Sequence, residues 1–210
     1  MKFNKDMLSL YAITDRTHLN GISLIEAVEQ AIQGGVTCVQ LREKNISFPE
    51  YVSIAKTIRE VCNKYGVPLI INDDYRVAIA SGADGVHVGA DDMAVADIRN
   101  HVGDNFIIGA TAKTIEQALK AQSDGADYLG VGAVFPSPTK TNAIRITPET
   151  LTEICRSVEI PVVAIGGINL ENVHLIKDCG QSGIAVVSAL FAQNDIVHSA
   201  ELLRKKLRNI

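Results

Sequence analysis

A (β/α)8 barrel is the fold this sequence predicts, and three observations carry the prediction. Short β-branched runs alternate with amphipathic stretches of helical length along the chain, which is the pattern of βα units around a parallel sheet. Eight such runs occur in 210 residues, about 26 residues per unit, compact but adequate for a closed barrel. After the first run the chain reads YAITDRTHLNG, without the GxGxxG fingerprint expected of an open dinucleotide-binding sheet.

In order, the strands are LYAIT (10–14), CVQLR (38–42), PLIIN (68–72), GVHVG (85–89), FIIGAT (106–111), YLGVGAV (128–134), PVVAIGG (161–167) and GIAVVSAL (183–190). Most are rich in valine, isoleucine or aromatic residues, the types that fit a pleated surface. Between them, SLIEAVEQAIQGG, EYVSIAKTIREVCNKYG, TIEQALKAQSDGA and the C-terminal DIVHSAELLRKKL space apolar residues three and four apart, as helices lying on a sheet require. The joints QGGVTCVQ, ASGADGVHV, SDGADYLGV and DCGQSGIAV repeat one formula, a glycine where a helix ends and a tight loop begins. Residues 1–210 therefore read as one cyclic domain, a length such barrels commonly have.

Composition narrows the function classes. With 47% hydrophobic and 21% charged residues and 16 glycines, this is a globular protein. No apolar run approaches the roughly 18 residues of a membrane helix, so no membrane partner is expected. MKFNKDMLSLYAITD lacks an apolar stretch followed by a small-residue cleavage site, which makes the cytoplasm the expected location. Net charge is −4 with no basic cluster, which argues against nucleic acid. Cys38, Cys62, Cys155 and Cys179 are scattered, without CxxC or histidine at ligand spacing, and read as small core residues.

In a barrel, the strand ends and the loops after them face the active site. The stretch VPLIINDDYR shows what that means: a strand heading through a core finishes on Asn72, Asp73 and Asp74. The other strand ends bring Thr14, Asp15 and Arg16; Gln40, Arg42 and Lys44; Asp91 and Asp92; Thr111 and Lys113; Ser137, Thr139 and Lys140; Gly166 and Gly167; and Ser188. No strand ends on cysteine and no Ser-His arrangement is visible, so nucleophilic catalysis lacks its tools. The set suits magnesium, which takes one or two carboxylates and fills its remaining positions with water and phosphate oxygens. Asp73 and Asp92 are the candidate ligands. Both acidic pairs also precede helices, so N-capping is the alternative use of either; adjacent strands would nevertheless bring them to one rim.

Alternation puts Gln40, Arg42 and Lys44 on one face of their strand, an array that a polyanion would satisfy. The alternative is a surface loop starting at Arg42, with Glu43 as the neighbouring charge. In VFPSPTKTNA a proline-rich loop carries Ser137, Thr139 and Lys140, hydroxyls and an ammonium suited to closing over phosphate, although composition equally permits an ordinary solvated loop. AIGGIN and VVSAL follow the last two strands, where barrels often hold phosphate on backbone N–H groups. There Gly167 would admit a close approach and Val187 with Ser188 would add donors, unless GGI is a plain turn. His87 sits mid-strand and reads as a hydrogen-bonded core histidine rather than a base. The remaining histidines read as loop or helix-surface residues.

YAITDR, QLREK, INDD, GVHVGADD, GADYLGVGAVFPSPTK, VVAIGGI and VVSAL, in this order and spacing, resemble thiamine phosphate synthase from about residue 10 to residue 190. The resemblance implies a (β/α)8 barrel that joins a pyrimidine diphosphate to a thiazole phosphate with magnesium, releasing thiamine phosphate and diphosphate. It implies that Gln40, Arg42, Lys44 and Asn72 contact the pyrimidine diphosphate and that Asp73 and Asp92 hold Mg2+. Thr111 and Lys140 would meet the diphosphate, and Ser137 and Thr139 the thiazole phosphate, whose phosphate group Gly167, Val187 and Ser188 would grasp. Arg42, Lys44 and Lys140 would stabilise the leaving diphosphate.

Three positions depart from the family pattern. Gly89, Ala90, Asp91 and Asp92 stand where GQxD is usual, Thr111 replaces serine and Ser137 replaces threonine. The hydroxyl exchanges keep a donor, whereas Ala90 removes an amide beside a metal ligand. Two rivals remain open: a thiazole tautomerase of the same barrel family, which would have no use for the carboxylates, and a silent barrel that senses a thiamine-related phosphate. A homodimer is the assembly the family suggests.

Overall fold

The computed structural model describes residues 3–19, 21–136 and 144–208. Eight strands, β1 Leu10–Ile13, β2 Cys38–Leu41, β3 Leu69–Asn72, β4 Gly85–Val88, β5 Ile107–Ala112, β6 Tyr128–Gly132, β7 Val162–Ile165 and β8 Gly183–Val186, lie in sequence order and close into a barrel. Every neighbouring pair is parallel, and β8 returns to β1 with Leu10 opposite Ile184. The predicted (β/α)8 barrel is the fold.

Several strand ends differ from the expected ones, each for a local reason. The eighth strand stops at Val186 instead of residue 190, because Ser188–Phe191 turns into a helix. Periodicity cannot divide an apolar run such as VVSAL between strand and helix. The seventh stops at Ile165, since Gly166 and Gly167 take positive φ of 101° and 63° and leave the ladder.

The helices are α1 Leu24–Gln33, α2 Phe48–Tyr65, α3 Tyr75–Ser81, α4 Val95–Val102, α5 Ile115–Ser123, α6 Pro148–Ser157, α7 Ser188–Phe191 and α8 Ile196–Arg208. Between β7 and β8 the connection holds a 3-10 turn, Val173–Ile176, in place of an α-helix. Helix α2 shows the local logic. Ser47 caps it by accepting from Glu50 N, Pro49 sits in the first turn, and Gly66 ends it at φ 68°. Its buried positions Tyr51, Ala55, Ile58 and Cys62 form one stripe on the barrel. Burying Ile58 contributes about 2–3 kcal/mol.

One apolar cluster lies between strands and helices; a second, with Leu8, Tyr11, Ile13, Cys38, Ile70, Ile107, Tyr128, Val163 and Ala185, fills the barrel interior. Cys38, Cys62 and Cys179 are buried and Cys155 half-buried, as expected of core cysteines. The four glycine joints each contain a positive-φ glycine, Gly35, Gly82, Gly125 and Gly180. At two of them the aspartate beside the glycine ties the barrel's lower rim. Asp84 Oδ2 accepts from Leu69 N at 2.8 Å and Asp127 Oδ2 from Ile108 N at 2.7 Å, and each carboxylate is paired with an arginine, Arg59 or Arg99.

Candidate active site

A cavity of about 200 Å3 opens at the C-terminal ends of the strands. Gln40, Arg42, Asn72, Thr111, Gly167, Val187 and Ser188 all border it, so seven residues chosen from the sequence meet in one place. Lys44, Asp73 and Asp92 form a separate group outside the cavity's lining residues. Ser137, Thr139 and Lys140 lie outside the described residues.

The acidic group is built by the β3 and β4 ends. Asp73 has φ 67°, a conformation uncommon in a residue with a side chain, and is held there by its N–H donating to His87 O at 2.9 Å. Asp74 is the helix cap: its carboxylate accepts from Arg76 N at 2.9 Å and from the Arg76 guanidinium at 3.0 and 2.7 Å. Capping therefore falls to Asp74 and leaves the Asp73 carboxylate free of it.

Asp92 Oδ2 accepts from Gly89 N at 2.7 Å. Partial burial, reinforced by the charge of Asp73 and a hydrogen bond with it, raises the Asp92 carboxyl above the usual range against the pull of Gly89 N–H. Two carboxylates this close repel when both are ionised, and a divalent cation would relieve that repulsion. Among the described residues no group of three or more His, Cys, Asp or Glu could hold a metal. The pair still fits magnesium, which needs only one or two carboxylates when phosphate completes its shell. The ammonium of Lys44 lies 2.6 Å from Asp73 Oδ2.

Arg42 borders the cavity because its backbone is pinned. Its N–H donates to Thr14 Oγ1 at 2.9 Å, and Nη1 stands 3.9 Å from Asp15 Oδ2. Glu43, the alternative partner on sequence grounds, is instead taken by Arg16, whose Nε lies 2.7 and 2.9 Å from its two oxygens. Arg42 therefore faces the cavity with only a long contact to a carboxylate. Lys113, a further cation, also borders it.

The floor holds polar groups that sequence reasoning missed or set aside. Tyr11 and Tyr128 point inward from β1 and β6 with their hydroxyls 2.8 Å apart. His87 lies 3.1 Å from Tyr128 Oη through Nδ1 and 3.1 Å from Thr111 Oγ1 through Nε2. It is the hydrogen-bonded core histidine expected, but it also borders the cavity. Burial lowers its pKa to about 4, with Asp73 pulling weakly the other way. Tyr11 alternates inward in LYAI between two apolar neighbours, and a single tyrosine there gives no polar signal in the sequence.

At the opposite wall, Gly167 needs its missing side chain for packing: a Cβ would collide with the backbone of Phe135 and Pro136. The close approach of the β6–α6 segment is thus a packing reason for glycine here, beside the expected approach of an anion. Val187 and Ser188 enter α7 beside it and border the cavity.

A family model described as thiamine monophosphate synthase matches residues 10–190. The chain belongs to the thiamine monophosphate synthase family. It is 48% identical over 201 residues to a thiamine-phosphate synthase of Clostridium tetani, covering 95% of this chain and 96% of that one. It is 51% identical over 195 residues to one of Ruminiclostridium cellulolyticum, covering 93% of each. The solved thiamine phosphate pyrophosphorylase from Pyrococcus furiosus, 41% identical, superposes with a TM-score of 0.90 over 98% of both chains. A native KDPGal structure, 21% identical with a TM-score of 0.71, shares the fold alone. The family assignment thus covers β1 to α7, the stretch that supplies the cavity wall.

Proposed function

We propose that this member of the thiamine monophosphate synthase family carries out its transferase reaction at the described cavity, with the residues that border it in the roles given below. The reaction condenses 4-amino-2-methyl-5-(diphosphooxymethyl)pyrimidine with 4-methyl-5-(2-phosphooxyethyl)thiazole and yields thiamine phosphate and diphosphate. The observation that carries the residue assignment is the Asp73, Asp92 and Lys44 group at the strand ends that also supply Gln40, Asn72 and Arg42 to the cavity.

Gln40 and Asn72 orient the pyrimidine, while Arg42, Lys44 and Thr111 bind the diphosphate. Asp73 and Asp92 would hold Mg2+, which when bound supplies Lewis-acid stabilisation to the departing diphosphate. The carbon–oxygen bond between the pyrimidine methylene and diphosphate breaks, the electron pair leaves with diphosphate, and the thiazole nitrogen supplies the pair for the new carbon–nitrogen bond. No protein base is required. The cations Arg42 and Lys44, with Lys140, which lies outside the described residues, meet charge that grows on the leaving group, an electrostatic contribution that is largest where it is preorganised. Gly167, Val187 and Ser188 receive the thiazole phosphate, with Ser137 and Thr139 as further contacts.

Asp73 and Asp92 speak against the tautomerase alternative, which needs neither metal nor diphosphate. No helix is long and apolar enough to cross a membrane among the described residues. We place the enzyme in the cytoplasm, as one domain over 1–210 and as a homodimer, acting on small phosphorylated substrates. The test is product formation from the two substrates, with magnesium and with chelator. Equal, magnesium-dependent appearance of thiamine phosphate and diphosphate is expected; binding of both substrates without turnover would overturn the reading in favour of a sensor.

A further inference from the structure

A hydrogen-bonded row crosses the barrel floor between two of the cavity's wall residues. Gln40 Nε2 donates to Tyr11 Oη at 2.9 Å, the Tyr11 and Tyr128 hydroxyls are 2.8 Å apart, and His87 bridges Tyr128 Oη to Thr111 Oγ1 with 3.1 Å on each side. Five strands contribute one residue each. His87 on β4 and Tyr128 on β6 meet although β5 lies between them, because the intervening register position is Gly109. A Cβ there would collide with the Tyr128 ring and the imidazole.

We infer that this row has one fixed direction, from Gln40 to Thr111, which makes Thr111 a hydrogen-bond donor to an anionic oxygen in the cavity, with Tyr11, Tyr128 and His87 as positioning residues. The amide nitrogen of Gln40 can only donate, so Tyr11 accepts and passes its own proton to Tyr128. In the opposite sense the Tyr11 oxygen would receive two donors, and its proton would be left with the Cys38 thiol, a weak acceptor. Tyr128 then donates to Nδ1 of His87, which requires the neutral imidazole protonated at Nε2. A charged ring would donate from both nitrogens and leave the Tyr128 proton, already facing the Tyr11 donor, without an acceptor, and burial also favours the neutral form. Nε2–H donates to Thr111 Oγ1, so the threonine proton must find an acceptor elsewhere, and the cavity it borders is where one arrives. At the other end Gln40 has spent an amide hydrogen on Tyr11, which leaves its carbonyl oxygen to accept a ligand N–H. The floor would thus read polarity at both ends: acceptor on β2, donor on β5.

The anion's identity as diphosphate rests on the proposed function, whereas the direction of the row does not, so the test has two arms. Nitrogen-15 spectroscopy of the histidines at neutral pH, with the His87 signals assigned by their loss in His87→Gln, should show the Nε2–H tautomer. An Nδ1–H tautomer or an imidazolium overturns the inference whatever the enzyme does. In the second arm, magnesium diphosphate is titrated calorimetrically into wild type, Thr111→Val, Tyr128→Phe and the double variant, each checked for a native melting transition. Thr111→Val is expected to weaken binding roughly tenfold and Thr111→Ser to retain it, the size of one hydrogen bond to a charged group. Tyr128→Phe should weaken binding severalfold alone and add nothing in the Thr111→Val background, because it acts through Thr111. Additive effects would overturn the relay. Absence of diphosphate binding by wild type would sink the functional reading while leaving the tautomer result to stand or fall alone.

Discussion

The Lys44 ammonium lies 2.6 Å from Oδ2 of Asp73, so an internal cation occupies the carboxylate that magnesium would need. The lysine side chain is 52% exposed, which keeps this pair in the range of about 1 kcal/mol or less. Lys44→Gln should therefore raise affinity for Mn2+ alone by up to about fivefold, while slowing turnover because the diphosphate loses a cation. Lys44→Arg should keep wild-type metal affinity. Calorimetric titration with Mn2+ in the absence of substrates reads the first effect; unchanged or weaker binding in Lys44→Gln would show that the lysine does not compete with the metal.

Asp73→Asn removes one charge of the carboxylate pair without changing its shape. The expected result is loss of most magnesium-dependent turnover with a melting temperature close to wild type, since the side chain is a third exposed and its backbone N–H bond to His87 O is retained. Turnover resembling wild type at limiting magnesium would remove Asp73 from the ligand set.

His87 supplies a pH dependence whose sign can be worked out. Its pKa is about 4 in the folded protein because burial disfavours the imidazolium, against about 6.5 in the unfolded chain. The unfolded state therefore binds the extra proton first as pH falls. The stability contributed by the neutral ring is fully present above pH 6.5, drains away between about 6.5 and 4, and amounts to about 3 kcal/mol. Urea unfolding of wild type and His87→Gln across that window should show a shallower decline in the variant. Parallel declines would mean the histidine charges freely in the fold.

Asp84 is expected to carry stability and no catalysis. Its carboxylate is 3% exposed at the end of the barrel opposite the cavity; Arg59 Nη2 donates to Oδ1 at 3.0 Å, and Nη1 stands 2.8 Å from Oδ2 outside hydrogen-bonding geometry. Removing one partner of a buried pair leaves the other charge uncompensated, so Asp84→Ala should cost about 3–5 kcal/mol in urea unfolding. The folded fraction should keep its KM values for both substrates.

The same residue shows what the sequence discloses and what it hides. Glycine in the repeated joints ASGADGVHV and SDGADYLGV marks the helix ends correctly, because φ near 72° and 95° is a local demand that only the glycine position must meet. The adjoining Asp84 and Asp127 look like ordinary loop polarity, since their partners, Leu69 N and Ile108 N, lie on strands across the ladder. At the active face, polar residues in or just after apolar runs identified five wall residues, Gln40, Arg42, Asn72, Thr111 and Ser188, while Gly167 and Val187 followed from their place after the last two strands. The Tyr11–Tyr128 pair stayed hidden because nothing local joins two tyrosines so far apart in sequence, and His87, expected as a hydrogen-bonded core residue, finds Tyr128 only because Gly109 on the strand between them has no side chain. Gly167 was located by its doublet, but the crowding there was not legible, because the Phe135–Pro136 backbone that causes it arrives from another unit.

Gly167 and Gly66 allow that crowding to be measured. Their φ values, 63° and 68°, are nearly the same, so alanine at either position pays a similar left-handed penalty of about 1 kcal/mol. Their surroundings differ: a Cβ at Gly66 meets nothing within 4 Å, whereas at Gly167 it collides with backbone of Phe135 and Pro136. Gly66→Ala should therefore lose about 1 kcal/mol with unchanged kinetics. Gly167→Ala should lose about 1–3 kcal/mol more, the typical cost of overpacking, and disturb the cavity wall at Gly167, where the proposed function puts the thiazole phosphate. Its KM for the thiazole phosphate should rise while that for the pyrimidine diphosphate holds. Equal stability losses in the two variants would show that the β6–α6 segment yields without cost, and with it the structural reason for a glycine at 167 would be gone.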